Sequence, residues 1–429
     1  MSDPGERSGP FDLLTDFRLL LYLFIGFRLI MAIVYQPHTT ALVEDDGTPA
    51  IIEQGMSMFG DFRLYYHFAQ LSDAGQWPYR DYWYEFPPVP VGLYIGVDAL
   101  RPDMSYMAWA TIFGLIMVAF DVGTLVLLRR LVHRLHGDGA GATLPWVYAV
   151  LAAPLVFAWW TFEPVVVFLM LLALVWLLEG RDNRSVLATV LGTFTKYTPI
   201  LILPAVWRFY DRRRALRYSV WMLAATVIVL GSMVAWGGRM AVASLAAQFN
   251  KASYESVWAL IDGNMRTGRF GEPETRFDVH AAYDPIGNPP VIPPLVRLVP
   301  FAAAGLFVFA RRLRQDDHGV VAFFTLTVVL FFLWAQGWSP QWALTLTPLI
   351  LLNFPDRNGV LLCLVVGFVS FVEYPGLFMR TAETDGEITG SLVPIYVAVI
   401  LIRTAALLGF AVGLYYRLTQ EATVEQARS

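Results

Sequence analysis

Ten apolar runs, each close to the twenty or so residues that an α-helix needs to cross a bilayer, recur along the whole chain. They cover 17–35, 106–128, 143–160, 162–179, 218–236, 293–310, 319–337, 341–355, 359–378 and 391–416. With 56% hydrophobic and 15% charged residues over 429 positions, the chain has too few charges for a soluble surface. An all-α polytopic membrane protein is expected. The first run is longer than the apolar region of a signal peptide and follows Asp3, Glu6 and Asp16, so it reads as the first membrane helix. A net charge of -4 and the lack of a basic tract argue against a nucleic-acid partner. The single cysteine, Cys363, excludes a disulfide framework or a cysteine-rich metal site and is expected as a small buried hydrophobe.

Arginine clusters set the expected topology. Arg129, Arg130 and Arg134 form the first, Arg181 and Arg184 the second, Arg208 to Arg217 the third, and Arg311, Arg312 and Arg314 the fourth. Placing all four in the cytoplasm satisfies the positive-inside rule. Parity then requires two other apolar stretches to turn back or not cross. One is 87–100, which opens on Pro87, Pro88 and Pro90; the other is 185–207, interrupted by Lys196 and Pro199. Irregular backbone at membrane depth survives only where protein or a wet cavity satisfies it, which makes these segments pointers to a site. The expectation is one transmembrane domain over 1–429, with about ten full spans, two re-entrant segments and both termini cytoplasmic. Two long extracytoplasmic loops, 37–86 and 237–292, are expected to carry interfacial helices.

The first of these loops reads Gly60-Asp61-Phe62-Arg63-Leu64-Tyr65-Tyr66, then Gly75-Gln76-Trp77-Pro78-Tyr79-Arg80-Asp81, then Glu85-Phe86-Pro87-Pro88. Asp61 fits a helix N-terminus, where an acid is favoured, and equally fits a general base ringed by aromatic groups. Glu85 fits either a site carboxylate or an acid bonded to the backbone of its own turn. Within the membrane runs, Arg28 and Asp121 suit a structural pair. Arg403 could hold a lipid headgroup. Lys196 could either pair with an acid such as Glu163 or bind an anion at depth.

The Asp-x-x-x-Tyr spacing, the Gly-x-x-Pro-Tyr-x-Asp run and the Glu-Phe-Pro-Pro turn resemble the first outer loop of GT-C glycosyltransferases, closest to glycosyltransferase family 87. Thr195-Lys196-Tyr197-Thr198-Pro199 is similar to the Lys-x-x-Pro element of that family's broken helix. Gln248-Phe249-Asn250-Lys251-Ala252-Ser253-Tyr254-Glu255 resembles its second outer loop, and Trp338-Ser339-Pro340-Gln341-Trp342 its late Ser-Pro-Gln-aromatic turn. The chain departs from the pattern in having Phe86 where Tyr is usual and Lys251 where Arg is usual, a point charge replacing a bidentate fork.

The resemblance implies a GT-C fold and a polyprenyl-phosphate-linked sugar donor, mannose being the sugar expected. It also implies a glycolipid or glycan acceptor on the extracytoplasmic face and inversion with Asp61 as base. Lys196, Lys251 and Arg63 are then expected at the donor phosphate, and Tyr65, Glu85, Gln248, Glu255, Trp338 and Gln341 around the substrates. No cofactor or metal is implied, and the first outer loop has no Asp-x-Asp pair; Asp45-Asp46 is the weak alternative as a metal site. A carrier or lipid flippase using Lys196 and Asp121 is the alternative from another class, although the loaded outer loops and the lack of internal repeats disfavour it. An O-antigen-type ligase is a further alternative.

Overall fold

The computed structural model describes residues 12–34, 39–45, 48–54, 60–101, 104–151, 161–268, 273–284, 286–381 and 384–426. Every expected apolar run coincides with a helix in its described part. In chain order these are α1 (Asp12–Thr15), α2 (Phe17–Val34), α3 (Gly60–Asp73), α4 (Pro88–Asp98), α5 (Tyr106–Val150), α6 (Glu163–Leu178) and α7 (Asp182–Thr193). They continue as α8 (Leu203–Phe209), α9 (Arg212–Phe249), α10 (Val257–Asp262), α11 (Pro294–Ala310), α12 (Asp317–Trp334), α13 (Trp342–Asn353), α14 (Arg357–Phe371) and α15 (Leu392–Gln426). Among the described residues, five helical stretches are long and apolar enough to cross a membrane: Tyr106–Val150, Arg212–Phe249, Asp317–Trp334, Arg357–Arg380 and Leu392–Thr419. The protein is a multi-pass membrane protein.

Two long helices bend where a glycine takes a positive φ that other residues resist. Gly137 (φ 79°) divides α5, and Gly238 (φ 54°) divides α9. Its neighbour Gly237 lets the first outer loop pack down on the bend, because any Cβ there would fall on the Tyr79 carbonyl.

The basic clusters meet at one end of the bundle. Arg134 Nε bonds Asp317 Oδ2 at 2.6 Å, and its Nη2 donates to the Leu178 carbonyl at 2.8 Å. Arg208 Nη2 donates to the Arg311 carbonyl at 2.8 Å. Asp182, at the start of α7, bonds both Arg214 (2.6 Å) and Arg217 (2.7 Å), at the start of α9. The two ends of segment 185–207 therefore lie side by side, as a re-entrant segment demands. The turn-back is built from α7, a break at 194–197, the short 3-10 stretch Thr198–Ile202 and α8. Gly192 admits it: a Cβ there would come within 2.9 Å of Pro199 Cγ. The other irregular segment, α4, is only 11 residues long, about 16 Å, and its Val89 N–H donates to the Phe194 carbonyl at 2.9 Å. The two irregular segments thus hold each other at the break.

The two long loops contain α3, the end of α9, α10 and two 3-10 turns (Pro273–Phe277 and His280–Tyr283). The first also holds an antiparallel hairpin, Thr39–Asp45 with Thr48–Gln54, paired Thr39↔Gln54 through Asp45↔Thr48. Its β-branched content and the intervening Asp46-Gly47 favour that choice over helix.

Because Asp182 bonds Arg214 and Arg217, single cysteines at Asn183 and Arg213 should react with a membrane-impermeant thiol reagent from the same side. Labelling from opposite sides would require 185–207 to span.

Candidate functional site

At the end of the bundle away from the basic clusters, α3 lies on an aromatic bed. Phe62 packs edge-on to Phe113 with centroids 4.9 Å apart, and Tyr65 stacks on Tyr94 at 5.9 Å and 7°. Helical spacing puts Asp61 and Tyr65 on one face, so fixing Tyr65 fixes the wall beside Asp61. Arg63, two residues from Asp61, projects from another face and is exposed; its charge acts on Tyr106. It does not join the cluster expected of it.

Asp61 is half-buried and makes no ion pair among the described residues. Burial pushes its carboxyl up to about 6; Lys196 pulls it down, Glu85 pushes it up, and Lys251 and the Tyr65 hydroxyl pull it down again. These side chains come from the first outer loop, the broken helix and the second outer loop, and the fold gathers them round one carboxylate.

Glu85 does not close its own turn alone. Its partner is Arg276, 191 residues away, which donates to both carboxylate oxygens, one contact being Nη2 to Oε1 at 3.0 Å. Both side chains are almost fully buried, at 3% and 2% exposed, and the guanidinium lies over Phe68, Trp83 and Tyr84. Burial by itself would raise the Glu85 carboxyl, but Arg276 and then Lys251 outweigh it and hold it at about 2. Burial pushes the Lys251 ammonium down while Glu85 supports its charge, and it sits 5.5 Å from the Phe86 ring centre. Arg276 was invisible in the sequence, since no spacing marks a partner so distant.

Lys196 occupies the break in the re-entrant segment. Its Nζ is 2.7 Å from Glu163 Oε2, in the first turn of α6, and 5.4 Å from the Trp342 ring centre. The pairing weighed from the sequence is thus present, and Lys196 still acts on Asp61 and Lys251. Arg28 and Asp121 also pair, at 2.7 Å.

The remaining expected residues divide. Tyr254 bonds Ser339 and lies where the charges of Glu255, Asp61 and Glu85 all reach it. A Cβ on Gly337 would fall on its ring. Glu255 is buried in a neighbouring cluster. Its carbonyl accepts from Arg403, whose Nη1 bonds Glu373 Oε1 at 2.7 Å, and its Oε1 accepts from Gly268 N–H at 3.3 Å. Burial and the nearby Glu373 push the Glu255 carboxyl up. Arg403 is 2% exposed and engaged there, which corrects the lipid-headgroup alternative. Trp338 is a second correction as a substrate surface. Arg403 covers its face at 4.4 Å, and Phe332 and Trp342 pack against it, because the Pro340 turn folds both tryptophans inward. Gln341 starts α13 and is half-buried, as is Gln248, whose Oε1 lacks a hydrogen-bond partner among the described residues. Among the described residues no three His, Cys, Asp or Glu side chains are grouped to hold a metal ion; Asp46 lies outside them.

Arg276→Ala should destabilise the protein by about 3–5 kcal/mol, because it strands Glu85 as a buried charge. The double variant Arg276→Met/Glu85→Gln should recover much of that loss. Thermal unfolding of the purified variants reads both effects, and an unchanged Arg276→Ala midpoint would show the pair to be energetically idle.

Among solved structures, the chain is similar to the Archaeoglobus fulgidus oligosaccharyltransferase in its apo form. The TM-score is 0.43 and identity 13%, with 94% of this chain and 56% of that one covered. The same enzyme tethered to an acceptor peptide containing the NVT sequon gives 0.42 and 12%, with 95% and 56% covered. The chain thus spans little more than half the length of that enzyme. No curated protein matches the sequence. The model of glycosyltransferase family 87 matches residues 101–336, more than half of the chain. The match encloses Lys196, Gln248, Lys251 and Glu255, while Asp61 and Glu85 precede it. With this match over more than half of its residues, the chain belongs to glycosyltransferase family 87.

Proposed function

We propose that the protein transfers a sugar, mannose in the first instance, from a polyprenyl monophosphate to a hydroxyl of a glycolipid or glycan acceptor on the extracytoplasmic face. The observation that carries this reading is the unpaired Asp61 carboxylate with two lysines, Lys196 and Lys251, close enough to act on it. A general base needs a pKa near the working pH and must lie open to the proton it takes; a paired carboxylate such as Glu85 meets neither condition. Two nearby ammonium groups suit a donor whose leaving group is one phosphate, to which lysine binds as a point charge.

In this mechanism the acceptor oxygen attacks the anomeric carbon from the side opposite the phosphate. Asp61 takes the hydroxyl proton, and the bond from the anomeric carbon to the phosphate oxygen breaks with its electron pair passing to the phosphate. The configuration inverts. Lys196 and Lys251 hold the leaving phosphate, and Tyr65, Tyr254 and Gln341 line the substrates.

Incubating the purified protein with a panel of polyprenyl-phosphate sugars and membrane extract, with products identified by mass spectrometry, tests the reading. Transfer from none of them would refute it. Asp61→Asn should lower turnover by about 10²–10⁴ while leaving donor binding nearly intact. The acid limb of kcat/KM in the wild type should fall near pH 6, where Asp61 loses its proton. The same shift predicts the sign of the stability change. The folded carboxyl titrates at about 6 against 3.8 for an ordinary aspartate, so the stability its proton contributes is full below about 3.8 and lost as pH rises through 6. Asp61→Asn should therefore be at least as stable as the wild type at pH 7. A less stable variant would mark Asp61 as structural.

A further inference from the structure

The Lys196–Glu163 pair is unequal. Glu163 is 2% exposed and held from several sides besides the lysine. Its Oε1 accepts from Thr345 Oγ1 at 3.0 Å, its backbone N–H donates to Thr161 Oγ1 at 2.8 Å, and it sits in the first turn of the 16-residue α6, where the helix dipole favours an anion. Lys196 is 15% exposed and lies in the non-helical break, with Glu163 as its one ion-pair partner among the described residues. Its ammonium also acts on Asp61 and Lys251, and so faces the site. If Lys196 moved away, Glu163 would keep a hydroxyl and a helix terminus; if Glu163 were lost, Lys196 would keep only the Trp342 ring face and the more distant Asp61 beside whatever anion enters.

We propose that Lys196 is exchanged between two anions, resting on Glu163 in the empty site and swinging to the donor phosphate when it binds, so that Glu163 is a positioning residue setting donor affinity and product release. The inference rests on the reading that the donor carries a phosphate. Glu163 competes with that phosphate for the same ammonium. The competition weakens binding, and it also returns Lys196 to its resting place when the polyprenyl phosphate must leave. Thr345 makes the exchange possible by supporting Glu163 while Lys196 is away.

Binding of a polyprenyl monophosphate to the purified full-length protein tests this, with donor kinetics alongside. Lys196→Ala should weaken binding about tenfold or more, the loss of one charge-assisted contact. Glu163→Gln should tighten it several-fold, lowering both donor KM and kcat as product release slows. The double variant should bind like Lys196→Ala alone, since Glu163 acts only through the lysine. Thr345→Val, a smaller change to the fold, should weaken binding several-fold by leaving Glu163 more dependent on Lys196. If folded Lys196→Ala bound the polyprenyl monophosphate like the wild type, the phosphate reading would fall and the exchange with it. If Lys196→Ala were weakened and Glu163→Gln weakened as much, the phosphate reading would stand and the exchange would be overturned. If Glu163→Gln did not fold, unchanged or tighter binding by Thr345→Val would overturn the exchange by itself.

Discussion

An isolated charge in an apolar bundle is expensive, and the fold is arranged around neutralising each one. Arg28 meets Asp121, Lys196 meets Glu163, Arg276 meets Glu85, Arg297 meets Asp262 and Arg403 meets Glu373. Each pair joins elements that the chain separates, so the pairs act as long-range fasteners as well as local neutralisers. The Arg276–Glu85 pair ties the two outer loops together, and Arg297–Asp262 fixes α10 to the start of α11. Asp61 stands apart: it has no ion-pair partner among the described residues, and burial raises its titration against the pull of Lys196 and Lys251.

What was legible in the sequence follows the range of the interaction that fixes it. Helix positions were legible because membrane length and apolarity are local properties. The fold-back of 185–207 was legible because charge bias on its flanks is also local, and the structure brings Asp182 to Arg214 accordingly. The face shared by Asp61 and Tyr65 follows from a four-residue interval. Arg276 was not legible, because its importance arises only when residue 85 is beside it. The burial of Trp338 was missed for a related reason: an aromatic group beside a proline turn looks the same whether the turn faces a cavity or the core, and Phe332 and Arg403 decide the matter. The hairpin at 39–54 was not foreseen, because the length of the loop called for structure without saying which kind, while the expected interfacial helix is α3.

The arrangement trades stability for reactivity at one point only. Raising a carboxylate from 3.8 to about 6 costs the folded state up to about 3 kcal/mol at neutral pH. Glu85, close by and more deeply buried, incurs no such penalty, because Arg276 and Lys251 together outweigh its burial. Two carboxylates in one site are thus driven apart in titration, one raised by burial and the other lowered by Arg276 and Lys251. The lower one stays charged and helps to keep the upper one poised.

Charge accounting through the proposed reaction explains why that division suits glycosyl transfer from a phosphodiester. With Asp61 ionised, the site holds three carboxylates (Asp61, Glu85 and Glu163) and three cations (Lys196, Lys251 and Arg276), and is balanced before the donor enters. The donor brings one negative charge. Transfer does not change the total: Asp61 becomes neutral as it takes the acceptor's proton, and the leaving phosphate gains the charge that Asp61 loses. What changes is where the charge lies, and Lys196 and Lys251 interact with Asp61 at the start and, in this reading, with the phosphate at the end. With Lys196 already drawn from Glu163 to the phosphate when the donor binds, and Lys251 beside it, the transfer step itself needs little reorganisation, which is the condition under which electrostatic stabilisation of a transition state is largest. Arg276 cannot contribute in the same way, since Glu85 occupies it throughout. In this reading the division of labour is between Arg276, held by Glu85, and two lysines that stand beside both ends of the charge's path, Lys196 exchanging its Glu163 partner for the phosphate.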